Sequence, residues 1–256
     1  MCTLVILRRP EHRWPLVIGA NRDEMIGRAA LPPARHWPDR PEVVAGKDLL
    51  AGGSWLGVND WGVAAAVLNR HGSLGPAEGQ RSRGELVLEA LDHPDAVAAA
   101  EALSHLDPAA YRTFNLIVAD NRDAFWLRHA DGKNVDAWPI DEGLSLIDSG
   151  ELNRPNNRRV ALAAPRFRAA APPDPDRDDW AAWEALLSDD ESPPGEAPES
   201  ALRFRTGHGY GTVSSALIAL PQPNAGKQKP RFRYAQWQPA PIPWGDVAGG
   251  PAASPQ

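Results

Sequence analysis

The chain has 256 residues, with 27 basic and 33 acidic side chains mixed along it and a formal charge of −6. So mildly acidic a chain is a poor binder of nucleic acid or anionic lipid through its overall field, and no apolar run approaches a membrane span of about 20 residues. A single cysteine excludes an internal disulfide and a cysteine-rich metal site, and suits a reducing compartment, by default the cytoplasm.

Leu4 to Leu7 and Leu16 to Ala20 are short apolar runs flanking the polar stretch Arg8 to Arg13. They predict a β-hairpin buried on both faces, with residue 2 at one end and Asn21-Arg22-Asp23-Glu24 just past the other strand. The proline-rich stretch LPPARHWPDRP reads as a loop, and AGGSWLGVNDWGVAAAVLN as a second hairpin turning at Asn59-Asp60. Ser82 to Leu106 has helical spacing broken at His93-Pro94, which predicts two helices, the second with Pro94 and Asp95 in its first turn. Phe114 to Ala119 and Ala124 to His129 predict a third hairpin, Gly143 to Ile147 a short strand, and Asn156 to Ala170 a basic helix.

Residues 171–200 are acidic and proline-rich around the short amphipathic stretch WAAWEALL, and read as an exposed excursion, mobile at both ends. Tyr210 to Leu220 and Phe232 to Trp237 predict a last strand pair. Residues 238–256 are low in complexity and read as a disordered proline-rich tail, leaving one domain over 1–237. Consecutive hairpins interrupted by helical blocks predict an α+β fold, antiparallel sheets with helices layered outside, not a doubly wound parallel sheet.

The cysteine stands second, directly behind the initiator methionine. Methionine is normally removed ahead of so small a residue, which frees the α-amine of Cys2. An α-amine titrates at about 7.7–8 and a thiol at about 8.5, so one residue carries both a base and a nucleophile near neutrality. The mechanism also needs a carboxylate to hold the amine, a cation near the sulfur, and a donor for the developing oxyanion. Asp23, Arg22 and Asn69 are the candidates. The blander alternative is a frayed chain end beside a polar surface turn.

At ANRDE the chain resembles the NRDE proteins, also called the transport-and-Golgi-organisation protein 2 family. The resemblance rests on Met-Cys before an apolar strand, then ANRDE, GGSWLGV, GVAAAVLN, SRGELV, FNLIVAD and YGT in that order, and covers residues 1 to about 237. It implies an N-terminal-nucleophile hydrolase fold, a four-layer α/β/β/α sandwich, as in penicillin V acylase, bile salt hydrolase and acid ceramidase. By that resemblance Cys2 would be the nucleophile and its amine the base. Asp23 would orient the amine, Arg22 would lie close to the sulfur, and the Asn69 backbone N–H would serve the oxyanion hole. Relatives complete that hole with an asparagine side chain; here Ser149 stands at its place and Asn153 is the nearest alternative. Family members often carry arginine where this chain has Val213, and Arg203 or Arg205 are the substitutes at hand.

These readings predict a cofactor-independent hydrolase acting on a small non-peptide amide through Cys2. The alternative from another class is a non-catalytic carrier on the same scaffold, holding haem or an acyl ligand. A third is a scaffold that presents the WAAWEALL helix to a protein partner. The ten tryptophans suit either a core or a cleft for a flat or acyl ligand.

Overall fold

A computed structural model describes residues 2–154, 158–223 and 228–249. The N-terminal hairpin forms as expected, from β1 (Thr3–Arg8) and β2 (Leu16–Met25), with Thr3 opposite Asn21 and Arg8 opposite Leu16. With β10 (Gly143–Ile147), β11 (Tyr210–Leu220), β12 (Arg231–Gln236) and β13 (Ile242–Asp246) it makes a six-stranded sheet in the order β10-β1-β2-β11-β12-β13. A second, seven-stranded sheet runs in chain order: β3 (Ala30–Ala34), β4 (Val43–Asp48), β5 (Leu56–Asn59), β6 (Ala64–Asn69), β7 (Phe114–Ala119), β8 (Ala124–His129) and β9 (Asp136–Pro139). Every pairing between these strands is antiparallel.

Strand alternation divides the apolar side chains among three cores. Leu4, Ile6, Leu16 and Ile18 meet Val44, Leu56, Val58 and Ile117 between the two sheets. Val5, Val17 and Leu217 face outward from the first sheet onto α3 (Arg158–Ala169) and α4 (Ala181–Ser188). Val43, Leu116 and Val118 face outward from the second onto α1 (Gly84–Leu91) and α2 (Ala96–Ser104). Helices thus cover the outer face of each sheet, which makes the four-layer α/β/β/α sandwich expected from the sequence.

The close packing of α1 explains the paired glycines of GGSWLG. A Cβ on Gly53 would lie 2.4 Å from the backbone carbon of Gly84. The two backbones touch, and Ser54 N–H donates to Gly84 O at 3.0 Å.

Three expectations change. The stretch 171–200 is not simply a solvated excursion: Trp180, Trp183 and Leu187 are buried against the first sheet, so α4 belongs to the outer helix layer. That buries Trp180, Trp183 and Leu187 of WAAWEALL in the protein's own core, where they are not on offer to a partner. The segment read as a disordered tail contributes β13, and Val247, just past it, donates its N–H to Phe232 O at 2.8 Å; residues 250–256 lie outside the described residues. The proline-rich loop holds an edge strand, β3, and β9 is a further unforeseen edge strand; both tolerate proline because one side of an edge strand needs no ladder bond. The basic helix is seen from Arg158; Asn156 and Asn157 lie outside the described residues.

Candidate active site

Cys2 immediately precedes β1, one step beyond the Thr3–Asn21 pair. Alternation then decides which side chains meet. Leu4 and Ala20 face the space between the sheets, so Cys2 and Arg22 do too, and both line the same cavities there. Thr3, Asn21 and Asp23 face the other way, toward the outer helices. Asn21 Nδ2 donates to Leu187 O and Leu202 O, and its Oδ1 accepts from Ser215 Oγ.

The Asp23 carboxylate is buried and held by partners that the residue pattern did not reveal. Arg159, from α3, donates to Asp23 Oδ2 at 2.6 Å and to Thr3 Oγ1 at 2.9 Å. Thr212 Oγ1 donates to Asp23 Oδ1 at 2.7 Å. The guanidinium of Arg159 also bonds Glu199 O and lies 4.7 Å from the Phe204 ring centroid. The Asp23 main chain turns back to the cysteine, with its carbonyl 3.8 Å from Cys2 Sγ and 3.3 Å from Tyr210 Oη. Sulfur and phenol thus share one acceptor.

Cys2 lines two spaces. Inward is a cavity of about 20 Å³ walled by Leu4, Ala20, Leu56, Ala66, Leu68 and Ala216, room for a water or a methyl group. Outward is a cleft of about 800 Å³, bordered by Asn69, Tyr210, Trp55 and the segment 74–84. Arg22 lines both, with its Cζ 4.1 Å above the centroid of Trp55. The indole is held over β4, where a Cβ on Gly46 would lie 2.3 Å from its ring carbons.

Burial, first, and the Asp23 carboxylate, second, push the Cys2 thiol above its ordinary value. The contact with Asp23 O and the Arg22 guanidinium pull it back only in part. A thiol so placed needs a base at hand. Burial, together with Cys2 and Asp23, also pushes the Tyr210 phenol far above its usual range, which keeps it protonated and able to donate.

Cys2, Arg22, Asp23 and Asn69 are therefore brought together. Ser149 and Asn153 are not: neither lines the small cavity or the cleft. Ser149 is buried with its carbonyl accepting from His71 N–H, and Asn153 is spent on β10, accepting from Leu146 N–H and donating to Ser145 Oγ. Val213 is buried at a bulge between Thr212 and Ser214. Arg203 pairs with Asp190 and stacks on Trp237, and neither it nor Arg205 lines the cleft. No histidine lines it either. Tyr210 and Thr212 sit in the YGT landmark, which marked the place without the role. Arg159 carried no local signal.

Among solved structures the fold is similar to an N-acylethanolamine-hydrolyzing acid amidase ortholog of Caenorhabditis elegans, at 13% identity and a TM-score of 0.61, covering 93% of this chain and 100% of that one. It is also similar to penicillin V acylase from Agrobacterium tumefaciens, at 16% identity and a TM-score of 0.50, over 97% of this chain and 87% of that one. The C2A mutant of conjugated bile acid hydrolase from Clostridium perfringens matches at 12% identity and a TM-score of 0.50, over 100% of this chain and 99% of that one. No curated protein matches the sequence. Among the described residues no helix is long and apolar enough to cross a membrane. A family model described as Transport and Golgi organisation 2 matches residues 1–226, most of the chain, and the protein belongs to that family.

Proposed function

We propose that the protein is a cofactor-independent cysteine amidohydrolase that cleaves a small non-peptide amide after removal of Met1. The observation that carries this reading is that Cys2 lines the cleft with its Sγ against the Asp23 carbonyl, on the same strand face as Arg22. The structural neighbours named for amidase, acylase and hydrolase activities support it by analogy of fold.

The freed Cys2 amine takes the thiol proton, and Sγ bonds the amide carbonyl carbon. The resulting oxyanion is met by the Asn69 backbone N–H and by the Tyr210 hydroxyl, whose proton turns from the Asp23 carbonyl to the oxyanion and which we assign in place of a side-chain amide at Ser149 or Asn153. The C–N bond then breaks, the ammonium proton goes to the departing nitrogen, and a thioester on Cys2 remains. Water, deprotonated by the same amine, attacks the thioester carbon; the acid leaves and the thiol is restored.

The test joins intact-mass analysis with labelling by an amide-mimicking electrophile. Loss of Met1, one adduct on Cys2, and no adduct or amide turnover in Cys2→Ser are expected. Tyr210→Phe removes one donor and lowers kcat by about 10²–10³-fold with Met1 still removed. A purified chain that keeps Met1 and still turns over an amide would refute the amine as base.

A further inference from the structure

We infer that the cleft is built for an amide whose amine portion carries a carboxylate, and that Arg22 is the residue that holds it. This rests on the amidohydrolase reading and names its substrate class.

Arg22 is about nine-tenths buried, yet among the described residues its guanidinium has no hydrogen bond and no carboxylate partner. Its guanidinium stacks on the Trp55 ring, which supports one face and leaves the rim of donors free. A buried cation of this kind is costly unless something answers it. The neighbouring carboxylates are already answered, Asp23 by Arg159, and Glu24 and Asp48 by Arg28, which leaves the Cys2 thiolate and a bound anion as the charges Arg22 can meet. Arg22 lines both the small cavity and the cleft, as the sulfur does, so an anion bonded to it sits within a few bonds of an amide at Cys2.

The wall also holds Asp23, Glu24 and Asp48, each paired with Arg159 or Arg28, and five arginines, so basic side chains outnumber acidic ones there. Arg83 and Arg112 line the cleft and among the described residues form no ion pair. Arg83 bonds Ser73, Thr113 O and Gly75 O; Arg112 bonds carbonyls of residues 72, 74, 75 and 76. Burial, first, and the like charge of Arg112, second, hold the Arg83 guanidinium down to about 10. A positive cleft in a protein of net charge −6 draws anions inward against the overall field. The planar fork of a guanidinium matches a carboxylate in two parallel bonds.

The anchor can be read without turnover. In Cys2→Ala protein, which has no thiolate for Arg22 to stabilise, N-acetylglycine and its neutral isostere N-acetylglycinamide are titrated by calorimetry. The acid is expected to bind at least about tenfold tighter, with the preference weakening as salt rises. Adding Arg22→Gln should abolish the preference, and Arg22→Lys should keep part of it, with circular dichroism confirming the fold of each. Equal binding of acid and amide, no binding of either, or a preference untouched by Arg22→Gln overturns the inference. Turnover by wild-type protein separates the two readings. Neutral amides cleaved as well as carboxylated ones would sink the inference and leave the amidohydrolase standing. Selective binding of the acid, with no amide of either kind cleaved, would do the reverse.

Discussion

Asp23 and Arg159 are a buried pair with side-chain exposures of 0% and 3%, fixed by a 2.6 Å contact. Deleting one partner strands the other charge in low dielectric, so Arg159→Met should destabilise the protein by about 3–5 kcal/mol, read as a lower midpoint in urea. It follows that Asp23→Asn is not a clean probe of the amine's orientation, because it also unpairs Arg159. The thiol gives a second prediction. Its raised pKa means that the thiolate accumulates only at alkaline pH while Met1 is attached. Iodoacetamide should then label Cys2 more slowly than free cysteine at pH 7.5, with a midpoint above about 8.5. With the amine freed, labelling at neutral pH should quicken. That Cys2, Arg22 and Asp23 are neighbours was legible because they lie within a hairpin whose two apolar runs announce it. Arg159 was not, since a pair 136 residues apart has no local pattern. Tyr210 and Thr212 were legible only as a landmark.

Helix α4 shows how an element can be misread from its surroundings. Acidic, proline-rich flanks make 171–200 resemble solvated chain, but Trp183 is 1% exposed and packs edge-on against Phe167 at 5.1 Å between ring centroids. Trp183→Ala should cost about 3–5 kcal/mol, a size that a surface helix would not produce, measurable by denaturant unfolding. The central strands β1, β2, β7 and β11 were plain because each holds a short run apolar on both faces. The edge strands were hidden by prolines and polar residues. Those residues belong there for a reason that sequence periodicity does not register.

The edges of both sheets are blunted. Pro32 and Pro33 stand in β3, Pro139 in β9 and Pro243 in β13, while β10 is covered by the two-way backbone and side-chain bonds of Asn153 to Leu146. An unpaired strand edge is a template for another chain, and proline removes the donor that pairing needs. Replacing Pro32 and Pro33 together by threonine should raise light scattering at high concentration and moderate heat, with little change in the urea midpoint. This also gives Asn153 a use, as an edge cover in place of the oxyanion donor its neighbourhood suggested. The four layers were readable in outline from consecutive hairpins and two helical blocks. Which charges the layers bring together was not, because that depends on side chains from opposite ends of the chain meeting at one strand end.

Gly46 touches neither the small cavity nor the cleft, yet it sets the height of the Trp55 ring that carries Arg22. A single methyl there would tilt the indole and lift the guanidinium off its seat. Selectivity for ligand charge is thereby open to tuning from a buried strand, by changes that a survey of the residues facing the ligand would pass over.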